Sequence, residues 1–213
     1  MNEADLAAMR RSYVKGELIE DAVMRDPIEQ LRSWIAQARD AGNPEPNAMC
    51  LCTMGERYPS GRIVLLRGLD ARGLTFYTSY FSRKAHDLAR MPRAAGVFYW
   101  PQVERQVRVE GDVERIPEDE SEAYFASRPR GHQIGAWASE QSEAVESREI
   151  LEQRVADYEA RFEGGDVPRP HSWGGYCLRP VTVEFWQGRP NRMHDRLQFT
   201  RSPAGWTLAR LQP

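Results

Sequence analysis

The chain has 213 residues, a formal net charge of −2 and an apolar content of 41%, enough for one sizeable core and without the broad basic field that holds nucleic acid. Any anion must then be gripped by a local cluster of cations. The opening run MNEADLAAMRRSY lacks the apolar stretch of a signal peptide, and nowhere do eighteen apolar residues run together, so a soluble cytoplasmic protein with no membrane span is expected.

In DPIEQLRSWIAQARDAG, Asp26 is placed to cap a helix and Pro27 to occupy its first position. Ile28, Leu31, Trp34, Ile35 and Ala38 form one apolar face, and Gly42 ends it. From Asn47 the texture changes to short β-prone runs, NAMCLCTM, GRIVLLRG, GLTFYTSY and AAGVFYW, separated by turn-forming stretches. Cys50, Cys52 and Cys177 make neither a disulfide framework nor a spaced metal set with the four histidines, so CLC reads as strand packing. The apolar middle of RIVLLR predicts a strand buried on both faces. Arg62 and Arg67 at its ends have opposite parity, so a shared ligand would need to wrap the strand end or a bulge would need to intervene.

VERQVRVEGDVERI continues the pattern, with Val103, Val107, Val109 and Val113 on one parity, expected to face a core, and Glu104, Gln106, Arg108 and Glu110 on the other, expected to face solvent or a partner. Helices are predicted in SRKAHDLAR, PEDESEAYFAS and SREILEQRVADYEARF. The last strands are GYCLRPVTVEFWQG, RMHDRLQFT and GWTLARLQ, with RSPAG as the turn between the final two. Strands outnumber helices without regular alternation, which predicts an antiparallel sheet, most simply a barrel, with helices outside and one domain over 1–213.

Three basic clusters stand out. In QGRPNRMHDR, Arg192, His194 and Arg196 share one face if the segment is a strand, and their mutual repulsion calls for an anion or an acidic side chain such as Glu184 across the sheet. An exposed basic edge strand is the alternative. In TSYFSRKAHDLAR, Ser82 can cap a helix whose first turn carries Arg83 and Lys84, against the helix dipole; free N–H groups plus two cations make a phosphate cradle, or the side chains point into water. In YFASRPRGHQIGAWASEQS, Arg128 and Arg130 bracket Pro129. Tyr124 lies one turn before Arg128, and Trp137 and the SEQS run add a flat surface and hydrogen bonding. The segment reads equally as a solvated loop. Several arginine clusters with aromatics such as Tyr77, Trp137 and Trp186 suit two flat phosphorylated small molecules. No nucleophile elbow, G-x-G-x-x-G turn or P-loop is present, so a bound cofactor would supply the reactivity.

The motifs RIVLLR, FYTSYFSRKAHDL, ERQVRVEG, YFASRPRGHQIGAWASEQS and VEFWQGRPNRMHDRL closely resemble the FMN-dependent pyridoxine/pyridoxamine 5′-phosphate oxidases. The resemblance runs from about the first helix to the terminal RLQP. It implies an α+β, mainly antiparallel FMN-binding split β-barrel of Greek-key type with peripheral helices, an N-terminal arm over 1–25, and C-terminal strands over 170–213 that complete the substrate and dimer region. It implies a homodimer with FMN at the interface, pyridoxine or pyridoxamine 5′-phosphate and oxygen as substrates, pyridoxal 5′-phosphate and hydrogen peroxide as products, and no metal.

By the same resemblance, FMN would be held by the run Ile63, Val64, Leu65 and Leu66 with Arg62 and Arg67 at its ends, and by Tyr77, Thr78, Ser82, Arg83 and Lys84. Gln106, Gln141, Ser142, Trp186 and Arg196 complete that set, some of them from the second subunit. The substrate would meet Arg67, Tyr124, Arg128, His132, Arg192, Met193 and His194, with Arg192 and His194 catalytic. Two positions depart from the family, which usually has lysine at Arg67 and serine at His132; altered affinity is expected from them more than lost activity. Other readings are a phenazine-type oxidase on the same barrel, which typically lacks the S-R-P-R loop, and a non-catalytic flavin or pyridoxal-phosphate binder. RNA binding finds no basic stretch interleaved with stacking aromatics.

Overall fold

A computed structural model describes residues 2, 5, 8, 9 and 11–213; positions 1, 3, 4, 6, 7 and 10 of the expected arm lie outside the described residues. The first long helix, α1 (Pro27–Asp40), forms where the sequence signals it. Asp26 accepts a hydrogen bond from the Ile28 N–H at 2.8 Å, Pro27 opens the first turn, and Gly42 follows with φ +82°. The apolar stripe buries Ile28, Leu31, Trp34 and Ala38, while Ile35 stays half-buried.

The strands are β1 (Ala48–Met54), β2 (Pro59–Leu65), β3 (Gly68–Asp70), β4 (Gly73–Ser79), β5 (Arg93–Trp100), β6 (Arg105–Arg115), β7 (Trp173–Gln187), β8 (Asp195–Ser202) and β9 (Gly205–Arg210). They pair in the order β2-β1-β5-β6-β7-β4-β3, with β8 on β7 and β9 on β8. The β3–β4, β4–β7, β7–β8 and β8–β9 pairs are antiparallel, in line with the expected sheet. Four further α-helices follow, α2 (Arg83–Arg90), α3 (Glu118–Ala126), α4 (Arg130–Ala138) and α5 (Arg148–Arg161). Among the described residues no helix is long and apolar enough to cross a membrane.

By internal contacts the chain divides into two compact units, residues 1–49, 96–110 and 180–213 in the first and 50–95 and 111–179 in the second. The core of the first is aromatic. Trp34 meets Phe185 edge-on at 5.1 Å, Phe185 meets Phe199 at 5.8 Å, and Phe98 stacks on Trp100 at 5.5 Å. Val107, Val109, Val183 and Leu197 close around them. Burying each such side chain contributes about 1.5–3 kcal/mol. In the second unit Leu74, Phe76 and Leu178 are fully buried on the sheet, and a separate cluster of Phe125, Ile134, Val167 and Trp173 binds the helices to it.

Three expectations need correction. RIVLLR is not buried on both faces: Ile63 is 65% exposed and Val64 and Leu65 are half-buried, because Arg62 to Leu65 line an open cleft rather than a second packed layer. Glu104 does not face solvent with Gln106 and Arg108. It precedes β6 in a left-handed conformation (φ 56°) and is 1% exposed, its carboxylate accepting the Val14 and Lys15 N–H groups; Val103 likewise precedes the strand. Residues 192–194 are not strand: Pro190–Arg192 form a 3-10 turn in which Asn191 and Arg192 have φ of 56° and 63°, and β8 starts at Asp195.

Candidate functional site

The second unit contains a cleft of about 1180 Å³ walled by β2, the end of β4, the start of α2, the α3–α4 corner and the 139–142 segment. It is large enough for a cofactor-sized ligand. Arg62 and Arg67 both line it despite their opposite parity. β2 stops at Leu65, Leu66 turns inward to burial, and the Arg67 N–H donates to Thr75 O at 2.8 Å; this break between β2 and β3 re-aims Arg67.

One part of the wall is a cation cluster on hydroxyl-rich supports. The Arg62 Nη1 donates to Leu51 O at 3.1 Å and Thr53 Oγ1 at 2.7 Å, and Nη2 donates to Ser60 Oγ at 2.8 Å. Its carboxylate partner Asp87 stands 3.7 Å away and itself accepts from Thr53 at 2.6 Å. Lys84 is 7% exposed; its Nζ donates to Thr78 Oγ1 at 2.9 Å, Ser82 Oγ at 3.1 Å and Gln141 Oε1 at 3.2 Å. Burial, then repulsion from Arg62, pushes the Lys84 ammonium down to about 8. Ser82 sits at the N-cap of α2 without capping through its side chain, as the hydroxyl donates to Ser79 O at 2.8 Å instead. It is fully buried beneath the cleft, and the α2 N-terminus is closed from the other side, with the Arg83 N–H donating to Ser142 Oγ at 3.1 Å.

A second part of the wall is aromatic. Tyr77 stacks on Tyr124 at 3.9 Å and 15°, and on Trp173 at 5.3 Å and 10°. Burial raises the Tyr77 phenol to about 12. The Arg128 guanidinium lies 4.6 Å over Trp173, and its Nη1 is buried with no hydrogen-bond partner among the described residues. Burial also depresses Arg128, a cation removed from water. The corner that presents it is held by Gln133 Nε2 donating to Phe125 O at 2.9 Å. The expected loop around S-R-P-R is therefore a helix–turn–helix, and it separates the two arginines. Arg130 turns away, donating to Gly165 O at 2.8 Å and Phe162 O at 2.6 Å. Trp137 offers no flat wall to the cleft; it packs on Tyr158 and Phe162 and donates to Pro168 O at 2.7 Å.

Of the residues singled out from sequence, Arg62, Ile63, Val64, Leu65, Arg67, Tyr77, Thr78, Arg83, Lys84, Tyr124, Arg128, His132, Gln141 and Ser142 line this one cleft. Trp173, Ser60 and Ser127 line it too and were not foreseen. Trp173 carried a weak signal, an aromatic opening a β run after HS. Gln106, Trp186, Arg192, Met193, His194 and Arg196 belong to the first unit.

Within that unit Trp186 and Arg196 are register partners on β7 and β8. Arg196 is taken by Glu184, Nε to Oε1 at 2.8 Å and Nη2 to Oε2 at 3.0 Å, and Arg108 adds a third donor at 3.3 Å. The acidic partner inferred for the basic cluster is thus the buried Glu184. His194 Nδ1 accepts the Arg189 N–H at 3.1 Å, leaving Nε2 as the protonated nitrogen of the neutral ring. Burial, then the Arg192 charge, holds its pKa below the usual histidine value. Tyr13, from the arm, stands edge-on to both Trp186 and His194 at 5.6 and 5.7 Å; no motif marked it. Met193 is 67% exposed.

Residues 27–162 match the family model described as pyridoxamine 5′-phosphate oxidase, and residues 173–213 match the model of the pyridoxine 5′-phosphate oxidase C-terminal dimerisation region. The solved structure of PhzG from Burkholderia lata, in complex with tetrahydrophenazine-1-carboxylic acid, superposes with a TM-score of 0.86 at 32% identity, covering 92% of this chain and 98% of that one. An FMN-binding, pyridoxamine 5′-phosphate oxidase-related protein from Nostoc punctiforme shares the fold at a TM-score of 0.69 and 19% identity, over 85% and 97% of the chains. The protein thus has the mainly antiparallel split-barrel fold. Pyridoxine/pyridoxamine 5′-phosphate oxidases from Salinibacter ruber and Rubrobacter xylanophilus are 57% and 56% identical, each over 98% of this chain and 99% and 97% of their own. The chain belongs to the pyridoxamine 5′-phosphate oxidase family.

Proposed function

We propose that the protein is an FMN-dependent oxidase that converts pyridoxine or pyridoxamine 5′-phosphate to pyridoxal 5′-phosphate, using oxygen and releasing hydrogen peroxide, with water consumed and ammonia released when the substrate is the amine. In this reading it works in the cytoplasm as a homodimer with FMN at the interface, and the chain 1–213 acts as one flavin-binding domain. The observation that carries the reading is that one cleft is lined by the buried Lys84 and by the half-buried Arg128, whose Nη1 is buried, with no carboxylate in salt-bridge distance of either among the described residues. Such groups fit phosphoester oxygens.

FMN fits the Lys84 side of the cleft. Lys84, Arg62 and Arg83 would hold the phosphate, Gln141 and Ser142 would bond its oxygens, and the β2 run and Tyr77 would flank the ring. Gln106, Trp186 and Arg196 complete the family's set. FMN, when bound, would supply the oxidising power that turns the vitamer's C4′ into an aldehyde with oxygen as the final electron acceptor. The remaining work falls to side chains. Arg128, Tyr124 and His132 would hold the vitamer phosphate, with Arg67 adding charge. Arg128 brings a preformed donor whose desolvation is already met in the folded chain. Arg192 would orient the pyridine ring and polarise the reacting group, while His194, with Nε2–H free to donate, would orient the amine or alcohol.

The phenazine-type alternative rests on the 32% identical structure, whereas relatives at 56–57% bear the vitamer-oxidase name. Peroxide release on adding pyridoxamine 5′-phosphate to the FMN-loaded protein tests the reading, and its absence would leave a binding protein. Replacing Arg192 with leucine should lower kcat at least a hundredfold while FMN content stays at one per chain. Unchanged turnover removes Arg192 from the chemistry.

A further inference from the structure

Lys84 is a buried amine whose three acceptors, Thr78, Ser82 and Gln141, are all neutral. The charged groups around it are Arg62 from β2, already paired with Asp87, and Arg83 and Asp87 from its own helix; β4 contributes Thr78 and the 139–142 segment contributes Gln141. No carboxylate among the described residues lies within ion-pair distance of Nζ. A buried ammonium without a counter-ion is disfavoured against the amine, and an arriving dianion reverses that preference.

We propose that Lys84 is a proton-coupled anion seat: in mildly alkaline solution the ligand-free chain gives up the Nζ proton, and it takes one up from solvent when a phosphoester dianion binds. This deepens the FMN reading and rests on it. The direction agrees with the amine's depressed pKa, about 8. No electrons move; one proton passes from buffer to Nζ, and the seat goes from neutral amine to ammonium against the phosphate. Arginine at this position would already carry its charge and need no proton.

The test is calorimetric titration of FMN into the flavin-free full-length chain at pH 8.5, in buffers of different ionisation enthalpy, for wild type, Lys84→Arg and Lys84→Met. The wild type should take up a large fraction of a proton per FMN at pH 8.5 and much less at pH 6.5, where the amine is already protonated; at pH 8.5 a phosphomonoester with a second pKa near 6 is already dianionic and takes up none itself. Affinity should fall toward tenfold per pH unit above pH 8. Both variants should lose the uptake, and circular dichroism establishes that they are folded. FMN binding with no uptake at pH 8.5, or with uptake that persists in Lys84→Arg, overturns the proton coupling and leaves the FMN reading intact. Failure of the folded wild type to bind FMN, with riboflavin equally inert, defeats the FMN reading itself.

Discussion

Glu184 and Lys84 are both buried charges, yet their surroundings differ. The Glu184 carboxylate accepts from two guanidiniums, Arg196 in a bidentate fork and Arg108 at 3.3 Å, so its desolvation is offset within the folded chain. Lys84 finds neutral oxygens and a repelling Arg62. Its charge therefore costs stability until a ligand supplies the counter-ion. The sign follows from the lowered pKa: between about 8 in the folded chain and about 10.4 unfolded, the unfolded state binds more protons, so stability rises with pH across that window. The whole penalty is present below pH 8. Urea denaturation of the flavin-free chain should show Lys84→Met more stable than wild type by about 1–3 kcal/mol at pH 7, with the gap narrowing by pH 9.5. A constant gap would place the effect in packing rather than in charge.

At the scale of elements, the cleft depends on how closely β7 lies against its neighbours. Gly175 pairs with Tyr77 across the β4–β7 ladder, and a Cβ there would overlap the Ile116 side chain and press Tyr77 Cε1 at 2.9 Å. Gly175→Ala should therefore destabilise by about 1–3 kcal/mol through overpacking and weaken FMN binding by displacing Tyr77. Adding Ile116→Ala should recover part of the stability; additive losses in the double mutant would mean that the two side chains do not compete for that space.

The same scale explains what the sequence made legible. Asp26, Pro27 and Gly42 act within one turn of their own backbone, so the limits of α1 follow from local chemistry. Along β6, Val107, Val109 and Val113 are buried as the alternation implies. Local rules fail where a long-range partner decides. Helix α4 carries Gly131 and Gly135, poor helix formers, and is fixed by Gln133 bonding back to Phe125 and by packing on α5. The alternation of Arg192, His194 and Arg196 suggested a strand, but the left-handed Asn191 and Arg192 break it, and hydropathy periodicity does not register a positive φ. Ile63 and its neighbours read as buried because a strand facing a ligand cleft has the same apolar composition as one facing a core. Glu104 follows from no pattern in its own strand, since its partners Val14 and Lys15 lie about ninety residues away. Of the site, the arginine clusters and their aromatic neighbours were visible as motifs; Trp173 and Tyr13 were not, because each reaches its place through tertiary packing.

For the whole molecule, 29 basic and 31 acidic side chains give a formal net charge of −2, and a cation-lined cleft coexists with it because carboxylates elsewhere are paired with other arginines. Arg72 joins Asp70 and Glu120, and Arg210 joins Glu20 and Asp195. Lys84, Arg67, Arg83 and Arg128, none with a carboxylate in ion-pair distance among the described residues, line one cleft. Similarity over 98% of the chain to named vitamer oxidases matches that local chemistry. The central claim is that this cleft passes electrons from a phosphorylated vitamer to a flavin. Its most direct measurement is the visible absorption spectrum of the FMN-loaded protein, mixed with pyridoxamine 5′-phosphate under anaerobic conditions and then exposed to air. The account predicts that the yellow flavin bands bleach on mixing and return with oxygen as peroxide appears. A flavin spectrum that stays oxidised in the presence of saturating pyridoxamine 5′-phosphate would contradict it.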